Sequence, residues 1–186
     1  MAKVLVICGS AQKDSLNLHF ARFVEKELSQ RGAEVSFIHL GDEKLPSFEG
    51  YNIPYPPRVN EVLKLMTGAD GFYFVIPEYH RSVPSAFKNL LEYIDGEEDG
   101  IRINDRLAAL ITVTAGSWGQ WSQMTLLGTL RALYVWLLPD EMYISHAQGK
   151  INEKGEIMDA GTKKRLLGQI ERFLKAVELL APLRQW

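Results

Sequence analysis

With one cysteine, Cys8, the chain cannot form an internal disulfide, so its stability has to come from a packed core. A length of 186 residues is enough for that: such a chain buries roughly 70% of the surface its unfolded form exposes. Excess positive charge is also missing. The formal net charge is −2, the pI is near 6.1, and the basic residues are scattered, which excludes the basic face that nucleic-acid and membrane-surface proteins use. No apolar run approaches the roughly 20 residues of a membrane span, and the opening MAKVLVICGS passes straight into strand-like sequence, unlike a signal peptide. The expected compartment is the reducing cytoplasm. The four histidines, His19, His39, His80 and His146, fall in separate segments without i, i+4 or C-x-x-C spacing, so no metal site is expected. Neither a G-x-x-x-x-G-K-[ST] run nor a G-x-G-x-x-G turn follows the first strand-like segment, so two common nucleotide signatures are absent.

What the chain does have is alternation. Apolar runs of strand length, KVLVIC (3–8), EVSFIHL (34–40), GFYFVI (71–76), RLAALITV (106–113) and a short 141–145, are separated by segments of helical period. The helical stripes are Leu16, Phe20, Phe23, Val24 and Leu28; Val59, Val62, Leu63 and Met66; a segment from Pro84 to Ile94; and Trp121 to about Leu137. A clean stripe from Leu166 to Leu180 completes the set. Residues 41–57 carry prolines and no period, and a polar loop, DGEEDG, follows Ile94. Five strands alternating with five helices predict an α/β fold: one domain over residues 1–186, with a doubly wound five-stranded parallel sheet and helices on both faces.

In such a sheet ligands bind beyond the carboxyl ends of the strands, which directs attention to three loops. GSAQKDSLN (9–17) gathers a glycine, two serines and an asparagine between a buried strand and a helix start. Helix N-terminal amides with Ser10, Ser15 and Asn17 suit a phosphate, and the same residues equally suit a capped turn in which Ser15 satisfies orphan N–H groups. PEYHRS (77–82) and TAGSWGQW (114–121) offer glycines that let the backbone approach a ligand, with Tyr79, Trp118 and Trp121 as aromatic covers. Glu78 suits the capping of a turn, and His80 and Arg81 suit either solvent or a nucleotide phosphate.

The loop GSAQKDSLN together with PEYHRSVPSAFKNLLEYID (77–95) resembles the NADPH-dependent FMN reductase family, and the resemblance extends over essentially the whole chain. The family's pattern P-E-Y-N-x-S-x-P-x-x-[LF]-K-N is met at Pro77, Glu78, Tyr79, Ser82, Pro84, Phe87, Lys88 and Asn89. The resemblance implies a flavodoxin-like fold and FMN held at its phosphate by Ser10, Ser15 and Asn17, with Gln12 and Leu16 also among the cofactor-binding residues. It implies that Pro77, Glu78, Tyr79 and Ser82 lie along the ribityl chain and ring, that the loop with Gly116 and Gly119 lines the pyrimidine end, and that His80, Thr114 and Ser117 also belong to the cofactor site. Two positions depart from the pattern: Gln12 stands where the family usually has arginine, and His80 where it has asparagine.

The expected function is NAD(P)H-dependent FMN oxidoreduction. A hydride from NADPH or NADH passes through bound FMN to a small electron acceptor such as a quinone, free flavin, azo compound or metal oxyanion, and no side chain need serve as acid or base. Two alternatives are a flavodoxin-like electron carrier, disfavoured by near-neutral charge, and a flavin-free module for a phosphometabolite or protein, suggested by Gln12. The resemblance, with the aromatic and apolar residues Phe87, Leu91, Trp118, Trp121, Tyr134 and Trp136, implies a homodimer or homotetramer.

Overall fold

A computed structural model describes residues 1–51, 53–94 and 101–183; the expected DGEEDG loop lies outside the described residues. Three apolar runs form the central strands β1 (Lys3–Cys8), β3 (Gly71–Ile76) and β4 (Leu107–Val113), the last two buried throughout. The less apolar β2 (Glu34–His39) lies at one edge. All pairings are parallel, in the order β2-β1-β3-β4 and on to the far edge. Strand order therefore reverses between β1 and β3, and a crevice opens there at the carboxyl ends.

Alternate residues of each strand serve opposite faces, as the pleat requires. Val4, Val6, Cys8, Tyr73, Val75, Ala109 and Ile111 pack against α1 (Leu16–Gln30) and α6 (Ala160–Leu180). Leu5, Ile7, Phe72, Phe74, Ile76, Ala108 and Leu110 pack against α3 (Pro57–Gly68), α4 (Ser85–Glu92) and α5 (Gln120–Ala132). This is the flavodoxin-like doubly wound arrangement.

The far edge is not the single fifth strand expected over 141–145. β5 (Trp136–Leu137) pairs with the start of β4, and β6 (Met142–Ile144) pairs with its end, so the sheet has six strands, not five. Leu138 still donates its N–H to the Ala108 carbonyl at 2.9 Å. The next donor in this register would be Asp140 N–H to Leu110 O, but Leu110 O accepts instead from Gln169 Nε2 of α6 at 3.3 Å, and the ladder breaks there.

Helix α5 stops at Ala132, short of the expected Leu137, because Tyr134 adopts φ 55°. Val135 N–H then reaches Leu130 O at 2.9 Å and Tyr134 N–H reaches Arg131 O at 3.0 Å, closing the helix end with a residue that carries no glycine signal. The connection 41–57 contains a short helix, α2 (Leu40–Glu43), and is otherwise anchored from outside. Asn89 accepts from Phe48 N–H at 2.9 Å and donates to Pro46 O at 2.8 Å, while Tyr93 O–H donates to Pro46 O at 2.9 Å.

Candidate active site

Beyond the ends of β1, β3 and β4 lies a cleft of about 650 Å³, within the range of small-molecule sites. Its first wall is the loop 9–17. Gly9 is required there: a Cβ would sit 2.7 Å from Ile76 Cγ2 and 3.0 Å from Phe87. Ser10 lies fully buried at the cleft floor, its Oγ accepting from Gln12 N–H at 3.2 Å. Ser15 caps α1 by accepting Leu18 N–H at 3.1 Å, which leaves its own hydroxyl proton for a ligand. Asn17 spans to the opposite wall, its Nδ2 donating to Val113 O at 3.3 Å while its buried Oδ1 has no partner among the described residues. Beneath the loop, burial pushes the Cys8 thiol up to about 11, so it is a packing residue and not a nucleophile.

The second wall comes from residues 77–82. Tyr79 and Ser82 exchange N–H···O bonds of 3.0 Å each, closing a two-residue hairpin whose central residues, His80 and Arg81, have φ 51° and 60°. This is a type I′ turn, and it explains one departure from the family pattern: histidine, like asparagine, tolerates the left-handed region better than most residues. The turn carries His80 and Ser82 off the cleft lining, whereas Pro77, Glu78 and Tyr79 stay on it. Glu78 Oε2 accepts Ser122 N–H at 3.0 Å, so the carboxylate caps α5 and ties the second wall to the third.

The third wall is the loop 114–119. Thr114 Oγ1 lies 3.0 Å from Gly116 O and 2.7 Å from Trp118 O, and Thr114, Gly116 and Ser117 all line the cleft. Backbone bonds from His146 N–H to Gly116 O (2.9 Å) and Ala147 N–H to Thr114 O (3.0 Å) hold the segment after β6 against this loop. A Cβ at Gly116 would meet nothing within 4 Å, so that glycine leaves open space at the cleft. Gly119 instead starts α5, with a Cβ position 3.3 Å from Thr112 Cγ2, and stands outside the lining. Trp118 and Tyr79, 64% and 46% exposed, offer free aromatic surface at the cleft.

Ser10, Gln12, Ser15, Leu16, Asn17, Pro77, Glu78, Tyr79, Thr114, Gly116 and Ser117 are thus brought together, and His80, Ser82 and Gly119 are not. Asp14, Val113, Ala115 and Gln148 also line the cleft and were not singled out in the sequence. Gln148 has no local motif, and only the backbone pairing of 146–147 with 114–116 brings it there. Phe87 and Leu91 are core residues and unavailable to an interface, while Trp118, Trp121, Tyr134 and Trp136 are exposed. No helix among the described residues is long and apolar enough to cross a membrane.

FMN fits these residues. The capped N-terminus of α1 suits an anion, the orphaned Asn17 Oδ1 awaits a donor, and open space at Gly116 beside aromatic surface suits a flat ring.

The sequence and the fold also match known proteins. The family model described as NADPH-dependent FMN reductase matches residues 2–149. A 2-hydroxy-1,4-benzoquinone reductase of a Burkholderia species is 28% identical over 92% of this chain and 93% of its own. An NAD(P)H:quinone oxidoreductase of Solanum tuberosum is 30% identical over 88% and 87%. Among solved structures, the flavoenzyme NAD(P)H:(acceptor) oxidoreductase FerB of Paracoccus denitrificans superposes with a TM-score of 0.82 at 25% identity, covering 96% of this chain and 98% of its own. With the fold, the cleft and a family match over most of its length, the chain belongs to the NADPH-dependent FMN reductase family of oxidoreductases.

Proposed function

We propose that the chain, as one FMN-binding domain, oxidises NADPH or NADH and reduces a small acceptor, with a quinone first among the candidates. The observation that carries this is one continuous cleft joining a serine-capped helix N-terminus to exposed aromatic surface over a glycine-opened loop. FMN, when bound, would supply the chemistry for moving a hydride between nucleotide and acceptor. The chain's own residues bind and orient. The α1 N-terminus with Ser15, Ser10 and Gln12 holds the phosphate, Leu16 packs beside it, and the Asn17 carbonyl oxygen accepts from a polyol hydroxyl. Backbone groups of Pro77 to Tyr79 and of Thr114 to Ser117 fix the ring edge, and Glu78 keeps those two loops in register through its bond to Ser122. No acid or base side chain is required. Names of relatives support a quinone, and one NADPH azoreductase of a Bacillus strain supports an azo compound.

The exposed indoles and Tyr134 support self-association as a dimer or tetramer, which light scattering at several concentrations checks. The flavin-free alternative draws support from Gln12, and from Asp14 being an anion in the same lining. Purified protein, supplied with FMN and assayed with NADPH, NADH and a benzoquinone, distinguishes the readings. Nucleotide oxidation with parallel double-reciprocal plots is expected. Protein that neither takes up FMN nor oxidises nucleotide would overturn the proposal.

A further inference from the structure

The turn at His80 and Arg81 is strained chiefly at Arg81, where glycine would adopt the same conformation freely. A type I′ turn favours Asn-Gly, yet this chain places histidine at φ 51° and arginine at φ 60°. Both side chains are exposed, and among the described residues neither forms an ion pair with a carboxylate. The Arg81 guanidinium lies 5.8 Å from the centre of the Trp121 ring, a half-exposed indole in the first turn of α5 that limits its swing. Its neighbour Tyr79 lines the cleft. The cleft lining itself contains two carboxylates, Asp14 and Glu78, and no lysine, arginine or histidine. Cations therefore stand beside the lining and not in it: Lys13 between Gln12 and Asp14 on the first wall, and on the second the hairpin that follows Tyr79, which presents a guanidinium and an imidazole together.

Strain of this kind persists where a function keeps it. We infer that the hairpin reads a phosphate of the reduced nucleotide, Arg81 binding the 2′-phosphate of NADPH with His80 as a second donor, so that the site prefers NADPH to NADH. A guanidinium suits this role because it remains charged and offers paired N–H groups to a phosphomonoester, whereas the pyrophosphate common to both nucleotides cannot discriminate between them. The inference rests on the proposed nucleotide oxidation and names the specificity element of that same site.

The test uses FMN-loaded protein and three variants: Arg81→Gly, Arg81→Lys, and the double change His80→Asn with Arg81→Gly. The ratio of kcat/KM for NADPH to that for NADH should fall by about 10- to 100-fold in Arg81→Gly and at least as far in the double variant. Arg81→Lys should retain part of the preference. The double variant should melt about 2–4 °C higher than the parent, because Asn-Gly relaxes the turn, so its loss of preference cannot be ascribed to unfolding. A readout without turnover is calorimetric binding of adenosine 2′,5′-bisphosphate against 5′-AMP, in which the parent should prefer the bisphosphate and Arg81→Gly should not. A parent that binds both alike, or a ratio unmoved in Arg81→Gly while KM for an anionic acceptor changes, would overturn the inference. Protein that oxidises neither nucleotide yet discriminates the two ligands through Arg81 would instead contradict the oxidoreductase reading and leave this one standing.

Discussion

At the end of the cleft formed by residues 9–17, the polar side chains are buried and engaged: Ser10 with Gln12, Ser15 with Leu18, Asn17 with Val113. At the opposite end, formed by Tyr79 and residues 114–118, large aromatic side chains stand in solvent above a glycine with open space around it. One end presents buried polar groups fixed by hydrogen bonds, and the other presents exposed aromatic surface beside open space. An anion needs fixed dipoles, which preorganised amides supply at little cost on binding, whereas a flat ring needs surface to cover it. Substitutions at the first end should therefore act through charge and helix capping, and those at the second through occupancy.

Ser15→Asp should have the largest effect. Aspartate caps a helix as well as serine does, so α1 should hold, but it places an anion beside the phosphate. At about 4 Å and an effective dielectric near 20, two unit charges repel by roughly 4 kcal/mol, about three orders of magnitude in FMN affinity, while riboflavin should bind nearly as before. Ser15 is preferable to Ser10 for this purpose: both are buried, but at the N-cap a carboxylate can take over the bond to Leu18 N–H, whereas a charge at Ser10 would test folding instead. Unchanged FMN affinity with an intact melting curve would mean that loop 9–17 is only a capped turn.

Two glycine substitutions sharpen the contrast. Gly9→Ala should destabilise by about 1–3 kcal/mol in urea unfolding, since the new methyl runs into Ile76 and Phe87. Gly116→Ala should leave stability within about 0.5 kcal/mol and weaken FMN alone, because its methyl enters open space in the cleft. Equal loss of stability at both positions would erase the distinction between a packed end and an open one.

Glu78 joins two of the walls. Removing its carboxylate orphans Ser122 N–H near the start of α5, so Glu78→Ala should cost about 1–2 kcal/mol, with Glu78→Gln recovering part of it. Full stability in the alanine variant would show that the walls are independent.

The smallest effect at neutral pH concerns Cys8. Its folded pKa, raised by burial to about 11, exceeds the value of 9.0 for a free thiol, so the folded state keeps its proton longer than the unfolded one. The contribution to stability is therefore constant below pH 9 and declines as pH rises from 9 toward 11. Alkylation of native protein at pH 8 should be slow, and rapid labelling would place the thiol nearer solvent than the packed end allows.

Legibility in the sequence followed the same division. Strands β1 and β3 were readable to the residue because continuous apolar runs bounded by glycine or proline have few other uses. Ser15 was readable as a cap because the chemistry is local. The end of α5 was not, since Tyr134 takes a left-handed conformation with no glycine to announce it, and the far edge split where the Gln169 side chain, distant in sequence, takes the next β4 carbonyl. Gln148 reached the cleft through backbone pairing with residues distant in sequence. Ser82 matched the family pattern and His80 departed from it, but that stretch forms a hairpin whose two side chains lie off the cleft lining. Likewise Asn89, the last residue of the motif, clamps the connection at Pro46 and Phe48, a tertiary role with no trace in local period.

The most direct measurement is calorimetric titration of the unmodified apoprotein with FMN and with riboflavin. A cleft with an anion-binding end at residues 9–17 should hold FMN at least about tenfold more tightly, since each contact to the charged phosphate contributes on the order of 1.5–3 kcal/mol that riboflavin cannot make. Equal affinities would contradict the assignment of that end to a phosphate.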